Sequence, residues 1–457
     1  MAQPSFSAPG SRRDWQLKPS PKYASHGVVR TVPPVETIRR ALPLMKTIGV
    51  TRIGDVTNLD RVGIPNYTTV RPAGRDGVSY YNGKGCTRLD AKAGALMEAI
   101  ERFSAEKCDL PVFYCTRDQM ERTGPTIDPA EIIVPHVQKY ESGMAIEWVE
   151  GFDLLTERPA YVPLNAVVCP YDPPPGRPVL NYASSNGLAS GNTVEEALCH
   201  ALCEVIERDA DAVAHTTLKL KPAVDRILRG IGLASPEPTV ELSDNFPRIA
   251  LETLPPRIAT LVEKLSAAGL TVYGRNRTST GGIPTVECVV VERQLNGGYL
   301  AHGGCGTHPD ARVAVSRAIT EAAQSRVGCI QGGREDLPEF VKPPASLDPV
   351  LIYGRGPVAP FSSIPSYIHD DIAEDIRFML RRLRESGFTQ VVAVNLTRPE
   401  VGMPVVRVII PGAEAWTAFY MHTRRGALGR RAAELLEVTH PVSDETIETA
   451  AAQGDGS

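Results

Sequence analysis

Ala91–Arg102 reads AKAGALMEAIER and Ala197–Arg208 reads ALCHALCEVIER. Seven of these twelve positions are identical at an offset of 106, and both copies end in Glu-x-Ile-Glu-Arg. A weaker third copy, AITEAAQ, spans Ala318–Gln324 and carries Gln324 where the others carry their second glutamate. Each copy follows a glycine-rich stretch: Gly83-Lys84-Gly85, Gly187 to Gly191, and Gly303 to Gly306. Each helix has a candidate cap, at Asp90, Thr193 and Asp310. A glycine turn leading into a carboxylate helix therefore recurs three times. The period is too long for a solenoid, so the repeats predict related substructures around one shared site.

Outward from the repeats, the pattern is mixed. Val35–Ile48 has helical periodicity, whereas Ala166–Cys169, Thr285–Val291, Gln390–Asn395 and Val405–Ile410 are strand-like runs rich in β-branched residues. Alternation of such runs with helices predicts an α+β (mixed α/β) fold. Pro-rich breaks at Tyr171–Pro178, Ser235–Pro256 and Gly332–Pro365 read as loops within one domain. The organisation expected is a disordered tail over 1–20, a catalytic domain over 21–430 and a C-terminal tail over 431–457.

The helical spacing carries the chemistry. Glu98 and Glu101 share a face, as do Glu204 and Glu207, and on the second helix the stripe runs back through His200 to Glu196. The opposite face, with Leu198, Leu202, Val205 and Ile206, suits a core. Converging carboxylates repel one another and call for cations. Hard oxygen ligands select Mg2+ or Ca2+ over zinc, and Mg2+ usually arrives with phosphates. Arg102, Arg208, Arg317 and Arg326 are candidate phosphate partners, and Lys84, between two glycines, can approach an anion closely. Each helix taken alone also reads as a solvated face with intrahelical ion pairs, and Thr193 with Glu196 forms a capping-box pattern sufficient in itself. It is the repetition that favours a metal–anion site.

Other chemistries lack support. There is no Walker A motif, no GxSxG and no CxxC, and the spacing of His302 and His308 is not that of a zinc-binding helix. Nine scattered cysteines do not suggest a disulfide framework; Cys199 and Cys203, a turn apart, read as small buried residues. A net charge of −4 gives no pull toward nucleic acid or an anionic membrane. No secretory signal and no apolar run of membrane-spanning length is evident, and the cytoplasm is the expected compartment.

These motifs, in this order, resemble the nucleotide-binding segments of YcaO proteins. The resemblance rests on Ala95-x-x-Glu98-x-x-Glu101-Arg102, on Ser184–Thr193 leading into Glu204-x-x-Glu207-Arg208, and on Arg317-x-x-x-Glu321-x-x-Gln324. Gly83-Lys84-Gly85 and Pro411-Gly412-Ala413-Glu414 add to it, and it covers roughly residues 21–430. Ala95 departs from the family's usual serine. The resemblance implies three glycine-turn/helix units around ATP and Mg2+. It places Lys84, Glu98, Glu101, Asn192, Glu196, Glu204, Glu207, Arg208, Arg317, Glu321 and Gln324 at the nucleotide, with Glu98, Glu101, Glu204, Glu207 and Glu321 toward metal and Lys22 as an outlying candidate. It assigns no covalent nucleophile.

The implied reaction is ATP-dependent activation of a peptide backbone amide by phosphorylation of its oxygen. The stand-alone character, with no room for a clamp domain and no proline-rich end, leans toward thioamide formation with a TfuA-like sulfur-delivery partner. The substrate would be a ribosomal peptide or a protein such as methyl-coenzyme M reductase. Azoline-forming cyclodehydration or amidine formation is the alternative within the class. A non-catalytic peptide- or partner-binding module and a calcium-binding structural protein are the alternatives outside it. A homodimer is compatible with such an enzyme.

Overall fold

The glycine–helix repeats decide where each sheet stops. In the computed structural model, residues 15–23, 29–75, 78–132, 140–180, 184–220, 246–295, 297–333 and 353–415 are described. A three-stranded antiparallel sheet holds β1 (Arg52–Asp55), β2 (Asn66–Val70) and β3 (Tyr80–Lys84) in that order. A second sheet contains β4 (Phe113–Cys115), β5 (Ile146–Asp153), β6 (Arg158–Pro163), β7 (Leu188–Ser190), β13 (Val392–Asn395) and β14 (Val405–Ile409). Its order is β4-β5-β13-β14-β7, with β6 also on β5. The third contains β8 (Arg248–Ala250), β9 (Thr271–Asn276), β10 (Thr285–Arg293), β11 (Tyr299–Thr307) and β12 (Val358–Pro360), ordered β11-β10-β9-β8-β12. The main helices are α1 (Pro34–Ala41), α2 (Arg88–Ala105), α3 (Arg117–Glu121), α4 (Val194–His215), α5 (Pro256–Ala267), α6 (Ala311–Gln331) and α7 (Ile372–Glu385).

The carboxylate helices α2, α4 and α6 each follow the terminal strand of a different sheet: β3, β7 and β11. Gly83, Gly303, Gly304 and Gly306 lie in these strands and Gly85 and Gly191 just past them, whereas Gly187 sits in the turn before β7; the strand glycines let helix and strand backbones touch. A Cβ on Gly83 would sit 2.1 Å from the Ala91 carbonyl and the Ala95 nitrogen; one on Gly304 would sit 2.2 Å from the Ala322 nitrogen, and one on Gly306 2.1 Å from the Ala314 carbonyl. Glycine facing alanine is what this approach requires.

Burial follows strand alternation. Val405 and Ile409 join the core shared with α1 and α2, while Val406 and Val408 face α4 and α7, so the second sheet is covered on both sides. A separate core joins β10 to α5 and α6.

Several local expectations are corrected. Ala166–Cys169 is not a strand: a 3-10 turn over Leu164–Ala166 is followed by Val167 and Val168 amides bonded to the Leu164 carbonyl. The helix expected over Val35–Ile48 ends at Ala41 and tightens to 3-10 over Leu42–Leu44, where Pro43 has no N–H to continue it. Two Pro-rich breaks contain β8 and β12, which pair with each other in parallel; β12 is a sheet edge, where Pro360 needs no donor. The cap of α2 is Thr87, which accepts from the Asp90 amide, so Asp90 is an N3 residue. The tail expected over 1–20 is held from Trp15: this ring is buried, stacked on Phe152, and the Lys18 and Ser20 amides donate to Glu195 and Asp371. Residues 1–14 and the expected C-terminal boundary at 430/431 lie outside the described residues.

Candidate functional site

Helix α4 contributes carboxylates toward both other carboxylate helices: Glu204 acts on Glu101 of α2, and Glu207 is acted on by Glu321 of α6. On the α2 side, Glu101 is buried, and its Oε2 accepts the Ser190 amide at 3.1 Å and the Ser190 hydroxyl at 3.4 Å. Burial, then neighbouring Glu98 and Glu204, drives its carboxyl well above the usual range against the pull of Arg102. Glu98 pairs with Arg102 at 3.8 Å and Glu204 with Arg208 at 3.7 Å, each along its own helix. Arg407 of β14 lies on the same side. It is buried, bonds the Ser184 carbonyl at 2.6 Å and feels both Glu204 and Glu101.

On the α6 side, burial and Glu321 push the buried Glu207 carboxyl up to about 7. Burial pushes Glu321 up as well, but Lys84, Arg208 and Arg317 more than offset it and hold it below the carboxylate range. Lys84, at the end of β3, is ion-paired to Glu321, and the Cys305 amide on β11 donates to the same carboxylate at 3.5 Å. Arg317 bonds His200 at 3.0 Å. Gln324 lies half-buried one turn past Glu321.

Glu196 is satisfied by the protein. Asn192 donates to its two oxygens at 2.8 and 3.1 Å, the Thr31 amide and hydroxyl each at 3.0 Å, and Arg30 at 3.4 Å. The Thr193 hydroxyl accepts the Glu196 amide, but the Glu196 side chain turns to these donors and leaves the capping box half made. A pocket of about 80 Å3 opens here, lined among others by Arg30, Glu196, Cys199, His200, His308 and Arg317.

Two candidates fall outside the site. Arg326 is buried against Asp60 at 2.8 Å and Glu292 at 2.7 Å and is a structural tie. Lys22 pairs with Asp375 at 2.5 Å and bonds the His369 carbonyl at 2.8 Å. His302 is buried beside Arg326, and burial pushes its imidazole down to about 4. Cys199, His308 and Asp375 bring a thiol, an imidazole and a carboxylate within metal-ligating range. However, His308 Nδ1 accepts the Asp310 amide at 2.9 Å, which leaves the proton on Nε2, and the Lys22 ammonium already holds Asp375. That cluster suits a hydrogen-bonded core better than an ion.

The residues present fit Mg2+ and a polyphosphate. Buried carboxylates that resist ionisation suit a hard divalent cation, and the Lys84, Arg208 and Arg317 cations on the α6 side suit phosphate oxygens. Comparison with known proteins agrees. The family model described as YcaO cyclodehydratase, ATP- and Mg2+-binding, matches residues 82–414.

This chain belongs to the YcaO family.

A YcaO structure from Methanopyrus kandleri bound to AMPPCP and Mg2+ is similar at 25% identity and TM-score 0.64, over 88% of this chain and 98% of that one. An uncharacterised protein of Methanothermobacter thermautotrophicus is 38% identical over 397 residues, spanning 85% of this chain and 96% of its own length. An uncharacterised protein in the tfuA 3' region of Rhizobium leguminosarum bv. trifolii is 31% identical over 398 residues, 84% and 88% of the two chains. YcaO proteins are ATP-dependent enzymes that modify peptide backbones, and ATP and Mg2+ are the cofactors. Among the described residues, no helix is long and apolar enough to cross a membrane.

Sequence reasoning missed Arg30, Thr31 and Arg407 in this YcaO chain. For Arg407 a signal existed: a single charge inside Val405–Ile409, a run otherwise valine and isoleucine.

Proposed function

We propose that this chain replaces the oxygen of a peptide backbone amide with sulfur, making a thioamide on a ribosomal peptide or on a protein such as methyl-coenzyme M reductase. When bound, Mg2+-ATP supplies the γ-phosphoryl group that makes the amide oxygen a good leaving group. Glu98, Glu101 and Glu204 would hold metal from the α2 side, and Glu207 and Glu321 from the α6 side. Lys84, Arg208 and Arg317 orient phosphate oxygens, with Gln324 closing the cradle and Asn192 and Glu196 bracing the adjoining wall. Positioning and charge neutralisation are the bulk of what such a reaction needs from a protein, and no covalent nucleophile is required.

The observation supporting ATP and Mg2+ is the division of one helix, α4, between two carboxylate groups, one richer in acids and the other in cations. The sulfur step is supported by the relative named for its place beside tfuA, so a TfuA-like protein is the partner proposed for sulfur delivery. Cyclodehydration is the second reading, favoured by the family's description.

Accurate-mass spectrometry of peptides from the host, with and without this gene, separates the two. Exchange of one oxygen for one sulfur on a backbone residue, lost with the gene, supports thioamidation. Loss of one water instead makes the chain a cyclodehydratase. No gene-dependent change sinks both.

A further inference from the structure

We propose that His200 is a positioning residue: its neutral imidazole takes a hydrogen bond from Arg317 and fixes the direction in which that guanidinium points. The inference rests on the ATP reading above.

The geometry sets the direction of the bond. His200 Nε2 lies 3.0 Å from Arg317 Nη2. A guanidinium has donors only, so Nε2 accepts and the imidazole proton sits on Nδ1. A doubly protonated ring would set N–H against N–H.

The surroundings keep the ring neutral. Burial, then Arg317 of α6, Lys84 of β3 and Arg30 of the segment beside Glu196, hold the His200 imidazole well below its ordinary range. The nearby acids are already engaged: Glu196 by Asn192, Thr31 and Arg30, Glu204 by Arg208, and Glu321 by Lys84.

Arg317 needs such an anchor. Arg102 and Arg208 are each steadied by the glutamate four residues earlier on their own helix. In the third copy, the glutamate four residues from Arg317 is Glu321, and Lys84 reaches across from β3 to pair with it. The Nε of Arg317 is buried with no hydrogen-bond partner in the structure. Among the described residues, His200 is thus the hydrogen-bonding side chain that fixes this guanidinium. It is supplied by α4, so the bond also ties α4 to α6 at the phosphate end of the cradle.

The test uses the full chain with Mg2+-AMPPCP as probe, measuring affinity by calorimetry and folding by thermal unfolding. His200→Ala is expected to weaken binding about tenfold, the cost of losing one hydrogen bond to a charged group, while the protein stays folded at the temperature of the binding assay. His200→Gln, whose amide oxygen accepts without titrating, is expected to stay within about threefold of the unsubstituted chain. The double variant His200→Ala/Arg317→Ala should bind no more weakly than Arg317→Ala alone, because His200 acts through Arg317. Losses that multiply in the double variant overturn the proposal. So does a His200→Gln protein that melts normally and binds as poorly as His200→Ala. Absence of binding by the unsubstituted chain overturns the ATP reading itself, and this proposal with it.

Discussion

The two sides of α4 are built from the same repeated motif and reach different charge balances. Toward α2, Glu98, Glu101 and Glu204 face Arg102, Arg208 and Arg407, and Glu101 is held by a strand amide and hydroxyl rather than by a cation at contact distance. Toward α6, Glu207 and Glu321 face Lys84, Arg208 and Arg317. A side richer in carboxylates beside one richer in cations suits a metal together with a polyphosphate better than two equal sides do. The repeat thus supplies the scaffold, and departures from it supply the polarity. Gln324 in place of a second glutamate removes a negative charge from the α6 side, and Lys84 adds a positive one there.

Removing a carboxylate from the α2 side is expected to have the largest effect. Glu101→Gln should reduce product formation by at least about a hundredfold, more than the loss of a residue that merely orients a metal ligand. Part of the loss should return at raised Mg2+. Steady-state rates across a Mg2+ series check this. A change confined to ATP affinity would break the distinction between the two sides.

The next effect concerns the scaffold. Gly304→Ala drives a methyl into the backbone of α6 at 2.2 Å, and overpacking of this kind costs about 1–3 kcal/mol or more. Gly303→Ala, one residue earlier, meets nothing within 4 Å and should change stability by less than about 0.5 kcal/mol. Denaturant titration of the pair separates them, and equal losses would show that α6 does not ride on β11 as described.

Lys84→Met should act on the cationic side alone. It frees Glu321, removes one proposed phosphate partner and should raise KM for ATP about tenfold, the cost of one charge-assisted contact. The Mg2+ requirement should hardly move. A large shift in Mg2+ dependence with an unchanged KM would reverse the roles given to the two sides.

The scaffold was largely legible because its cause is local. Glycine facing alanine and glutamates spaced by a helical turn both leave marks in sequence, so the three helices and most of the β-branched runs were readable. Arg326 misled because it follows the repeat on the same helix as Arg317, while its partners Asp60 and Glu292 come from distant segments. Glu196 was readable as a capping residue but not as the acceptor for Thr31 and Arg30, which lie 165 and 166 residues away. Spacing shows which residues share a helix face; it does not show which strand or loop packs against that face. Arg407 reaches the carboxylates for that reason, from a strand late in the chain.

The smallest expected effect probes the coupling between the two sides. Glu207 has a folded-state pKa raised to about 7, by burial and then by Glu321. In the metal-free protein its protonated form is bound in the fold at pH values where the unfolded chain has already released the proton. Its contribution is therefore fully present below the ordinary glutamate range and is lost as pH rises through about 7. Glu101, raised for the same first reason, adds in the same direction. Glu321 is depressed and acts oppositely, its contribution being lost as pH falls below the ordinary range. The melting temperature without Mg2+ should accordingly decline from mildly acidic toward neutral pH. Mg2+ should stabilise more at the alkaline end, where it does not have to displace a proton. Glu207→Gln should flatten the decline and shrink the Mg2+ effect together. If it flattens one without the other, the carboxylate that titrates is not the one that meets the metal, and the α6 side serves phosphate alone.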